Sequence, residues 1–436
     1  MTLSALPDSP PASCRRDAAS SCGQTPITVL GMGAAPPLSP EELPMPMQRL
    51  LAEADVLAGG ERMLDAIPQG AEERVRLAAP LEKALRTIRD RHAAGRRVLV
   101  LADGDPLYFG IGATLVRALG AACVRILPQV SSLQAACARL GLPWHDVRSC
   151  SLHGRHGWQS LHTALRAGTP VCVLTDARYS PGVIARHLLD RGADWLRMAI
   201  FERMGAADEA GAVLSLDEAA VRPESGACAT VLLLPHGRPR IPFPGMDHSR
   251  FARHAGLVTK RPVRAAALSL LRVEPHHVVW DIGSGSGAVA LEAAALAWAG
   301  QVCAVERHAM RAIDIQHNRR LTGALNVDIR YGSAPDCLPG LPAPDRIFLG
   351  GGLGGRQGAQ AEALLKALCA YLPAGGRLVA ACVLLGSLHA ALEFFHTLGW
   401  PLELECVQAA EARPLAGDIH LAAHNPAYLL AVEKPA

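Results

Sequence analysis

The sequence predicts an α/β protein built from two domains. Short apolar runs typical of buried strands alternate with segments of helical spacing along most of the 436-residue chain. Several of these runs end in polar, glycine-rich turns, and open α/β sheets bind ligands at that end of their strands. Residues 236–245 mix prolines and glycines with other residues and cannot sustain a helix or a strand. We therefore place a boundary near residue 241, with domains over residues 27–240 and 241–436.

The most informative stretch is an apolar run that leads into alternating glycines. Val278–Ile282 is followed by these glycines and then by an alanine-rich segment of helical character. The pattern predicts a buried strand, a tight turn that only glycine makes without a Cβ clash, and a helix that begins with bare backbone N–H groups. A second predicted strand ends in Glu306, where a carboxylate can accept both hydroxyls of a ribose. The turn glycines are Gly283, Gly285 and Gly287.

Two classes of nucleotide site have such a turn. A dinucleotide site has the spacing G-x-G-x-x-G and holds a pyrophosphate at the helix N-terminus. This chain has G-x-G-x-G preceded by Asp281. A carboxylate at that position repels a pyrophosphate but suits a cationic amino acid. The turn therefore resembles the nucleoside-binding turn of class I S-adenosylmethionine methyltransferases, and a tight packing turn is the alternative.

The N-terminal domain carries polar motifs after its predicted strands. Strands are predicted at residues 27–30, 97–102, 124–127 and 171–174. Helical spacing covers residues 47–57, and Ser131 or Ser132 is available to cap the helix after the third of these strands. The motifs are Gly31-Met32-Gly33, Gly104–Gly110, Val130-Ser131-Ser132, Ser151–Arg155 and Glu202–Gly205.

Together these motifs resemble those of the tetrapyrrole methylases of corrin and sirohaem synthesis. The motif Ser151–Arg155 is similar to that of the branch that methylates precorrin-6. The resemblance covers residues 27–235 and implies a bilobal fold with S-adenosylmethionine folded between the lobes. One departure is Ala34, because the family usually carries proline at that point of the first glycine loop. By resemblance, the cofactor contacts are Ala34, Asp103, Gly104, Asp105, Tyr108, Ser131 and Ser132.

The C-terminal domain resembles the decarboxylating precorrin methyltransferase domain. The motifs that carry this resemblance are Thr259-Lys260, Asp281–Gly287, Gly332–Pro335 and Gly350–Gly352. It implies a Rossmann-like class I methyltransferase fold of seven strands, the last two forming an antiparallel end. Further strands are predicted at residues 327–331, 346–349, 377–385, 402–407 and 428–432, and helices at residues 360–371 and 388–398. By resemblance, the cofactor contacts are Thr259, Asp281, Gly283, Gly285, Gly287, Glu306, Ser333 and Ala334.

With both halves matched, the chain beyond residue 26 is similar to the fused decarboxylating precorrin methyltransferases of aerobic cobalamin (vitamin B12) biosynthesis. The resemblance implies that precorrin-6B is methylated at meso carbons 5 and 15 by two molecules of S-adenosylmethionine. It also implies that the ring-C acetate loses its carboxyl group, which gives precorrin-8X. Family analogy assigns carbon 5 to the first domain, and carbon 15 with the decarboxylation to the second. The partner is then a polycarboxylate corrin-precursor macrocycle, and no metal is expected.

The sequence contains no evident catalytic triad, metal cluster or carboxylate pair. A sulfonium methyl group is already electrophilic and the meso carbons are electron-rich, so the protein's task is alignment and the exclusion of water. Cationic side chains are expected to clamp the substrate's carboxylates, and the candidates are Lys260, Arg264, His153 and Arg155. The alternatives are a solvated basic helix start for Lys260 and Arg264, and a packed or capping role for His153. Asp105 also has a structural alternative, as a helix cap.

Composition disfavours several function classes. The net charge is only +3, no apolar run approaches the roughly 18 residues of a membrane span, and the 12 cysteines form no C-x-x-C motif. We expect a cytoplasmic homo-oligomer with reduced cysteines and with neither nucleic-acid nor membrane partners. Residues 1–26 are rich in serine, proline and alanine and lack the apolar region of a signal peptide. They are expected to form a disordered extension.

Other functions are weighed against this one. A base-amine methylase carries N/D-P-P-Y after its fourth strand, whereas this chain has Leu349-Gly350-Gly351-Gly352 there. A nicotinamide oxidoreductase is disfavoured by Asp281 and by the spacing of the turn. A methyltransferase for another tetrapyrrole, and a module that binds S-adenosylmethionine or a tetrapyrrole without turnover, stay open. The favoured function requires two donor sites per chain, and an oxidoreductase has none.

Overall fold

The computed structural model describes residues 25–34, 42–67, 71–154, 157–223, 229–253, 258–353 and 359–435. Arg155 lies outside these residues, as does the expected N-terminal extension apart from Thr25 and Pro26. The described chain has the predicted α/β architecture and forms two compact units. The first contains the described residues within Met1–Ser151, Ala199–Ala212 and Gly226–Leu232, and the second those within Leu152–Met198, Val213–Ser225 and Leu233–Ala436. The second unit joins residues of both predicted domains, whose limits stay a prediction.

The first sheet lies in the first unit, and the described pairings of its central strands are parallel. Its strands are β1 (Ile27–Gly31), β2 (Val56–Gly59), β3 (Glu73–Arg76), β4 (Val98–Ala102) and β5 (Val124–Leu127), in the order β3-β2-β4-β1-β5. Its helices are α1 (Met45–Glu53), α2 (Glu61–Ala66), α3 (Glu82–Ala93), α4 (Ile111–Leu119) and α5 (Ser132–Leu140). Ile88 and Leu115 pack on one face of the sheet, and Leu51 and Leu64 on the other. Because both faces are covered, β1, β2 and β4 are buried along their whole length.

The prediction of one helix over residues 47–57 is wrong at its C-terminal end. Helix α1 ends at Glu53 and β2 begins at Val56. Every residue of β2 is buried, so its sequence lacks the alternation of a half-buried strand and cannot be told from a helix by its pattern. Strand β2 is therefore missing from the sequence prediction, and the short, partly exposed strand β3 is missing as well.

A second sheet contains strands that belong to both units. Its strands are β6 (Arg148–Ser151), β7 (Val171–Leu174), β8 (Leu196–Glu202), β9 (Ala210–Ser215) and β10 (Ala229–Pro235), in the order β6-β7-β10-β8-β9. Its helices are α6 (Gln159–Leu165), α7 (Pro181–Asp190) and α8 (Leu216–Val221). Residues 236–247, which follow β10, form neither helix nor strand, as the sequence predicts.

The third sheet has the predicted seven strands. They are β11 (Val278–Ile282), β12 (Gln301–Glu306), β13 (Val327–Tyr331), β14 (Arg346–Leu349), β15 (Arg377–Cys382), β16 (Leu402–Val407) and β19 (Ala427–Glu433), in the order β13-β12-β11-β14-β15-β19-β16. Strands β11 to β15 pair in parallel, and β19 pairs antiparallel with both β15 and β16, which confirms the predicted antiparallel end. The helices are α9 (Arg261–Leu271), α10 (Ala288–Leu296), α11 (Ala309–Thr322), α12 (Ala359–Tyr371) and α13 (Leu385–Leu398).

Two features of this region differ from the sequence prediction. Strand β15 ends at Cys382 rather than at residue 385, and α13 begins at Leu385 rather than at residue 388. A hairpin of β17 (Ala410–Leu415) and β18 (Asp418–Ala423) lies in the chain between β16 and β19 and was not predicted. No helix among the described residues combines the length and the hydropathy that crossing a bilayer requires.

A buried ion pair ties α9 to α10. Arg264 has no exposed surface, and its Nε and Nη2 donate to Oε1 of Glu292 at 2.9 Å and 2.8 Å. Its Nη1 donates to the carbonyl oxygen of Thr259 at 2.6 Å and its Nη2 also to that of Met246. The guanidinium lies 5.2 Å from the centroid of the Phe251 ring. Arg264 as a substrate clamp is therefore corrected: all three guanidinium nitrogens are bonded inside the protein and none reaches a ligand.

Replacing Arg264 by methionine should destabilise the second unit by about 3–5 kcal/mol, because Glu292 is left as an unpaired buried charge. Adding Glu292→Leu should recover most of that loss, since two apolar side chains then replace the pair. Arg261→Met, at an exposed position of the same helix, should change stability by no more than about 0.5 kcal/mol. Urea unfolding curves measure all three. Equal losses in the single and double variants would contradict this account.

Candidate functional site

The glycine turn after β11 faces the turn after β14. Gly283, Gly285 and Gly287 have φ angles of 71°, 60° and 80°, which glycine adopts without steric cost. A Cβ added to Gly283 would lie 2.7 Å from Cα of Gly351, so the two turns pack backbone against backbone. A Cβ added to Gly285 would meet no atom within 4 Å. The backbone of the turn is therefore covered by the turn after β14 at Gly283, whereas at Gly285 it has free space beside it.

Glu306, at the end of β12, holds the glycine turn in place. Its Oε2 accepts a hydrogen bond from the N–H of Gly285 at 2.8 Å, and its Oε1 accepts one from the N–H of His308 at 2.9 Å. Only 3% of its surface is exposed. Because each carboxylate oxygen can accept more than one hydrogen bond, Glu306 keeps acceptor capacity for the predicted pair of ribose hydroxyls.

Asp281 is a buried carboxyl group on β11. Its Oδ2 accepts hydrogen bonds from the Ser284 hydroxyl at 2.6 Å and from the N–H of Ala290 at 3.0 Å. Its Oδ1 is buried and has no hydrogen-bond partner among the described residues. Burial raises the pKa of Asp281 to about 7 against the opposing effect of these hydrogen bonds, and the charge of Glu306 raises it further. The group therefore changes charge near neutral pH, and a cation bound beside it would favour the ionised form.

The turn after β13 lies beside the end of β12. The N–H of Gly332 donates to the carbonyl oxygen of Glu306 at 3.0 Å. The predicted contact residues Ser333 and Ala334 follow directly, and Ala334 is buried. Thr259 precedes α9, and its carbonyl oxygen is the acceptor for Arg264. The third sheet thus brings the ends of β11, β12 and β13 together at one edge, as the sequence predicts.

The sequence prediction did not assign a role to two residues that shape this edge. The Ser284 hydroxyl donates a hydrogen bond to the Asp281 carboxyl group, and Gly351 makes the close contact with Gly283. Both lie inside motifs that the sequence marks, the G-x-G-x-G turn and the triple glycine. The partner of Ser284 lies three residues earlier in the same motif, whereas that of Gly351 is set by packing between separate strands, which the spacing of a motif does not specify.

In the first unit, three turns at strand ends meet. Gly33 and Gly104 form an isolated antiparallel bridge, with N–H to oxygen distances of 2.9 Å and 3.3 Å. A Cβ added to Gly31 would lie 2.7 Å from the carbonyl oxygen of Gly104. A Cβ added to Gly104, whose φ is 63°, would lie 3.8 Å from both Cα of Ser131 and N of Ser132. The predicted contacts Gly104, Ser131 and Ser132 are therefore neighbours.

Two side chains fix the shape of this first site. The Asp105 carboxylate accepts hydrogen bonds from the N–H groups of Leu107 at 2.8 Å and Gln129 at 3.3 Å. It braces the turn after β4 against the segment after β5, and it does not cap α4. Ser131 caps α5, because its Oγ accepts from the N–H of Gln134 at 3.2 Å and Oε1 of Gln134 accepts from the N–H of Ser131 at 2.9 Å.

The remaining predicted contacts of the first site lie on the same turns. Asp103 pairs with Arg62 at 2.5 Å, and both side chains are more than half exposed. The ring of Tyr108 packs edge-on against that of Phe109, with centroids 5.0 Å apart. Ala34 is partly buried and follows the bridge residue Gly33.

The predicted substrate clamps have different outcomes. Lys260 stands at the N-cap position of α9, and no carboxylate of the described residues pairs with its ammonium group. His153 is exposed in the second unit, with Nδ1 3.4 Å from the carbonyl oxygen of Thr175. Arg264 is part of the core, and Arg155 lies outside the described residues. Lys260 and His153 therefore remain candidates.

Known proteins match the chain along both halves. The family model described as tetrapyrrole (corrin/porphyrin) methylases matches residues 28–220, and the one described as the precorrin methyltransferase domain matches residues 250–434. A precorrin-6Y C(5,15)-methyltransferase (decarboxylating) from Sinorhizobium sp. is 34% identical over 382 residues, which are 85% of this chain and 88% of that relative. This chain belongs to the precorrin-6Y C(5,15)-methyltransferase (decarboxylating) family. Both resemblances seen in the sequence are thereby confirmed.

Two shorter relatives from Salmonella typhimurium are also similar to this chain. A cobalt-precorrin-7 C(5)-methyltransferase is 37% identical over 186 residues, 42% of this chain and 87% of its own length. A cobalt-precorrin-6B C(15)-methyltransferase (decarboxylating) is 34% identical over 181 residues, 41% of this chain and 89% of its own length. The predicted fold class is confirmed as well, a bilobal tetrapyrrole methylase fold joined to a class I methyltransferase fold.

Gly285→Ala should weaken binding of S-adenosylmethionine at the second site at least tenfold, because the new methyl group occupies the open surface of the turn. The backbone strain of an L residue at φ 60° should cost about 1–2 kcal/mol. Gly399→Ala is the matched control, since Gly399 has φ 66° and equally open surroundings at the end of α13. Urea unfolding should find an equal loss of stability in both variants, and isothermal titration should find a loss of ligand binding only in Gly285→Ala. Full binding by Gly285→Ala would contradict the assignment.

The preference of the second site for S-adenosylmethionine over S-adenosylhomocysteine should rise with pH through about 7. Asp281 is protonated below its pKa of about 7 and ionised above it, and only the methylated ligand carries a positive sulfur. A tenfold rise corresponds to about 1.4 kcal/mol. Titrations of both ligands at pH 6 and pH 8 measure the ratio, and Asp281→Asn should make it independent of pH. A constant ratio in the unmodified chain would contradict a link to Asp281.

Proposed function

We propose that this chain methylates precorrin-6B at meso carbons 5 and 15 with two molecules of S-adenosylmethionine and decarboxylates its ring-C acetate. The product is then precorrin-8X, an intermediate of cobalamin biosynthesis. The observation that carries the proposal is the presence of two separate glycine-lined turns at strand ends, one in each unit. It is supported by a relative named for the combined reaction that matches 85% of the chain.

The two activities are proposed to belong to two catalytic domains, over residues 27–240 and 241–436. The first methylates carbon 5, and the second methylates carbon 15 and removes the carboxyl group. Separate relatives named for C(5) methylation and for decarboxylating C(15) methylation support this division. The first donor site is proposed to consist of Ala34, Asp103, Gly104, Asp105, Tyr108, Ser131 and Ser132. The second is proposed to consist of Thr259, Asp281, Gly283, Gly285, Gly287, Glu306, Ser333 and Ala334.

The described residues suit such a ligand. S-adenosylmethionine supplies a methyl group on a positively charged sulfur, which is electrophilic without further activation. The chain therefore needs to orient the donor and exclude water rather than create a nucleophile. In the second site, Glu306 offers a carboxylate to ribose hydroxyls, Asp281 offers charge near neutral pH, and the open backbone at Gly285 leaves room. In the first site, a Cβ on Gly104 would make only ordinary van der Waals contacts, at 3.8 Å from Cα of Ser131 and N of Ser132.

Decarboxylation is proposed to draw its driving force from the macrocycle. When the carbon–carbon bond of the acetate breaks, carbon dioxide leaves and the electron pair passes into an adjacent ring that carries an iminium. A poorly hydrated carboxylate is less stable than the delocalised transition state, so a dry pocket favours the step. Lys260 is proposed to hold a different carboxylate of the substrate, because no described carboxylate pairs with it.

We also propose an oligomeric state and a cellular compartment. The apolar face of the β17–β18 hairpin includes Ile419 and Leu421, which are 70% and 72% exposed, and this supports a homo-oligomer. Six described cysteines are free thiols, namely Cys137, Cys303, Cys337, Cys369, Cys382 and Cys406, and this supports a reducing compartment such as the cytoplasm. We propose that the chain uses no metal and binds neither nucleic acid nor membranes.

The mass of the product tests the proposal. Incubation of the full chain with precorrin-6B and labelled S-adenosylmethionine should add two methyl groups and remove one carboxyl group. Gly104→Ala should give a product with one added methyl that has still lost its carboxyl group. Gly285→Ala should give a product that keeps the carboxyl group, because the second site performs that step. If the carboxyl group is lost with Gly285→Ala but kept with Gly104→Ala, decarboxylation belongs to the first domain and not to the second. An unchanged substrate would refute the proposed function.

A further inference from the structure

Three consecutive exposed apolar residues follow strand β15. Val383, Leu384 and Leu385 are 54%, 59% and 70% exposed, whereas the strand before them is almost wholly buried. Single exposed leucines are common on protein surfaces and need no explanation. A contiguous group of large apolar side chains at the carboxyl end of a parallel strand is different, because ligands of open α/β sheets bind at that end.

The position of these residues relates them to methyl transfer. Strand β15 runs parallel to β14, and β14 runs parallel to β11. The turn after β14 touches the turn after β11 through Gly351 and Gly283. The proposed donor residues occupy the ends of β11, β12 and β13, on one side of that contact. The strand ends on the other side of that contact are those of β14 and β15, so the proposed donor residues leave room there for the molecule that receives the methyl group.

The start of helix α13 departs from local sequence preference at the same point. Leu384 is the N-cap residue of this helix and has no side-chain oxygen for the first turn. Serine, threonine, aspartate or asparagine at an N-cap is more stable than an apolar residue by about 0.5–2 kcal/mol. The space beside the first turn is open, since a Cβ added to Gly386 would meet no atom within 4 Å. Departures of this kind are expected where a surface serves a ligand.

We infer that Val383, Leu384 and Leu385 form the surface against which the ring face of the tetrapyrrole macrocycle packs while the second site acts on it. The inference rests on the proposed function and names substrate contacts within that site. A tetrapyrrole has a broad apolar ring face and carboxylates at its rim. The three apolar side chains carry no charge that could bind the rim, so they contact the ring face. The carboxylates are then left to cationic groups elsewhere, such as Lys260.

Steady-state kinetics of the full chain test this inference. Leu384→Ser and Leu385→Ser should each raise the KM for the macrocycle about tenfold in the decarboxylating step, with little change in kcat or in the affinity for S-adenosylmethionine. Leu398→Ser is the control, because Leu398 is 45% exposed at the other end of the same helix. It should leave all three quantities unchanged. An unchanged KM in both test variants, with folding verified by urea curves, would overturn the inference.

A charge substitution distinguishes the ring face from the rim. Leu385→Lys and Leu385→Glu should both weaken binding of the macrocycle, because either side chain removes apolar contact. Tighter binding by Leu385→Lys would overturn the assignment, since it would mean that carboxylates lie there.

An equilibrium experiment separates failure of the inference from failure of the proposed function. Uroporphyrin III is a stable macrocycle with eight carboxylates, and its fluorescence reports binding without turnover. Leu385→Ser should weaken its binding about tenfold relative to Leu398→Ser, whether or not precorrin-6B is a substrate. Equal uroporphyrin binding by the two variants would overturn the inference and leave the proposed function untouched. If the unmodified chain does not turn over precorrin-6B, only the proposed function is refuted.

Discussion

The close contact between two glycine turns is the constraint on which the second site depends. A Cβ on Gly283 would lie 2.7 Å from Cα of Gly351, so the turn after β11 has no room for a side chain at Gly283, and a Cβ on Gly351 would lie a tight 3.3 Å from the carbonyl oxygen of Gly283. This contact fixes the end of β11 beside the end of β14, and Glu306 fixes the same turn from the side of β12. The edge of the sheet thus has two parts. The ends of β11 and β12 carry the acidic residues Asp281 and Glu306 beside the glycine turn, and the ends of β14 and β15 carry glycines and the exposed apolar residues Val383–Leu385. A donor and an acceptor of a methyl group need surfaces of those two kinds.

The buried charges of the second unit serve two different purposes. Arg264 pairs with Oε1 of Glu292, whose Oε2 is buried with no partner among the described residues, and the pair joins α9 to α10. Asp281 has no cationic partner among its hydrogen bonds, so burial leaves its pKa high. A buried carboxyl group without a cation is costly unless it is protonated or gains a cation from a ligand. Burial is tolerated at Arg264 and Glu292 because their charges are paired, whereas it makes Asp281 responsive to what binds.

The sequence predicted the strand ends and the glycine turns that follow them well, because they rest on local properties. An apolar run followed by glycines at positive φ identified β11, and a carboxylate after the next run identified Glu306. The errors arise where the outcome depends on distant partners. Arg264 looks like a free cation until Glu292, in another helix, is known to face it. Val383–Leu385 looked like the end of a buried strand, since composition does not reveal whether an apolar run is covered. The division of β2 from α1 was missed because a fully buried strand has no alternation.

The central claim is that one chain holds two independent donor sites, each built on bare backbone at strand ends. Equilibrium dialysis of the full chain against labelled S-adenosylmethionine tests it most directly. Two molecules should bind per unmodified chain, and one should remain in each of the variants Gly104→Ala and Gly285→Ala. A single molecule bound to the unmodified chain, or loss of both molecules in either variant, would contradict the account.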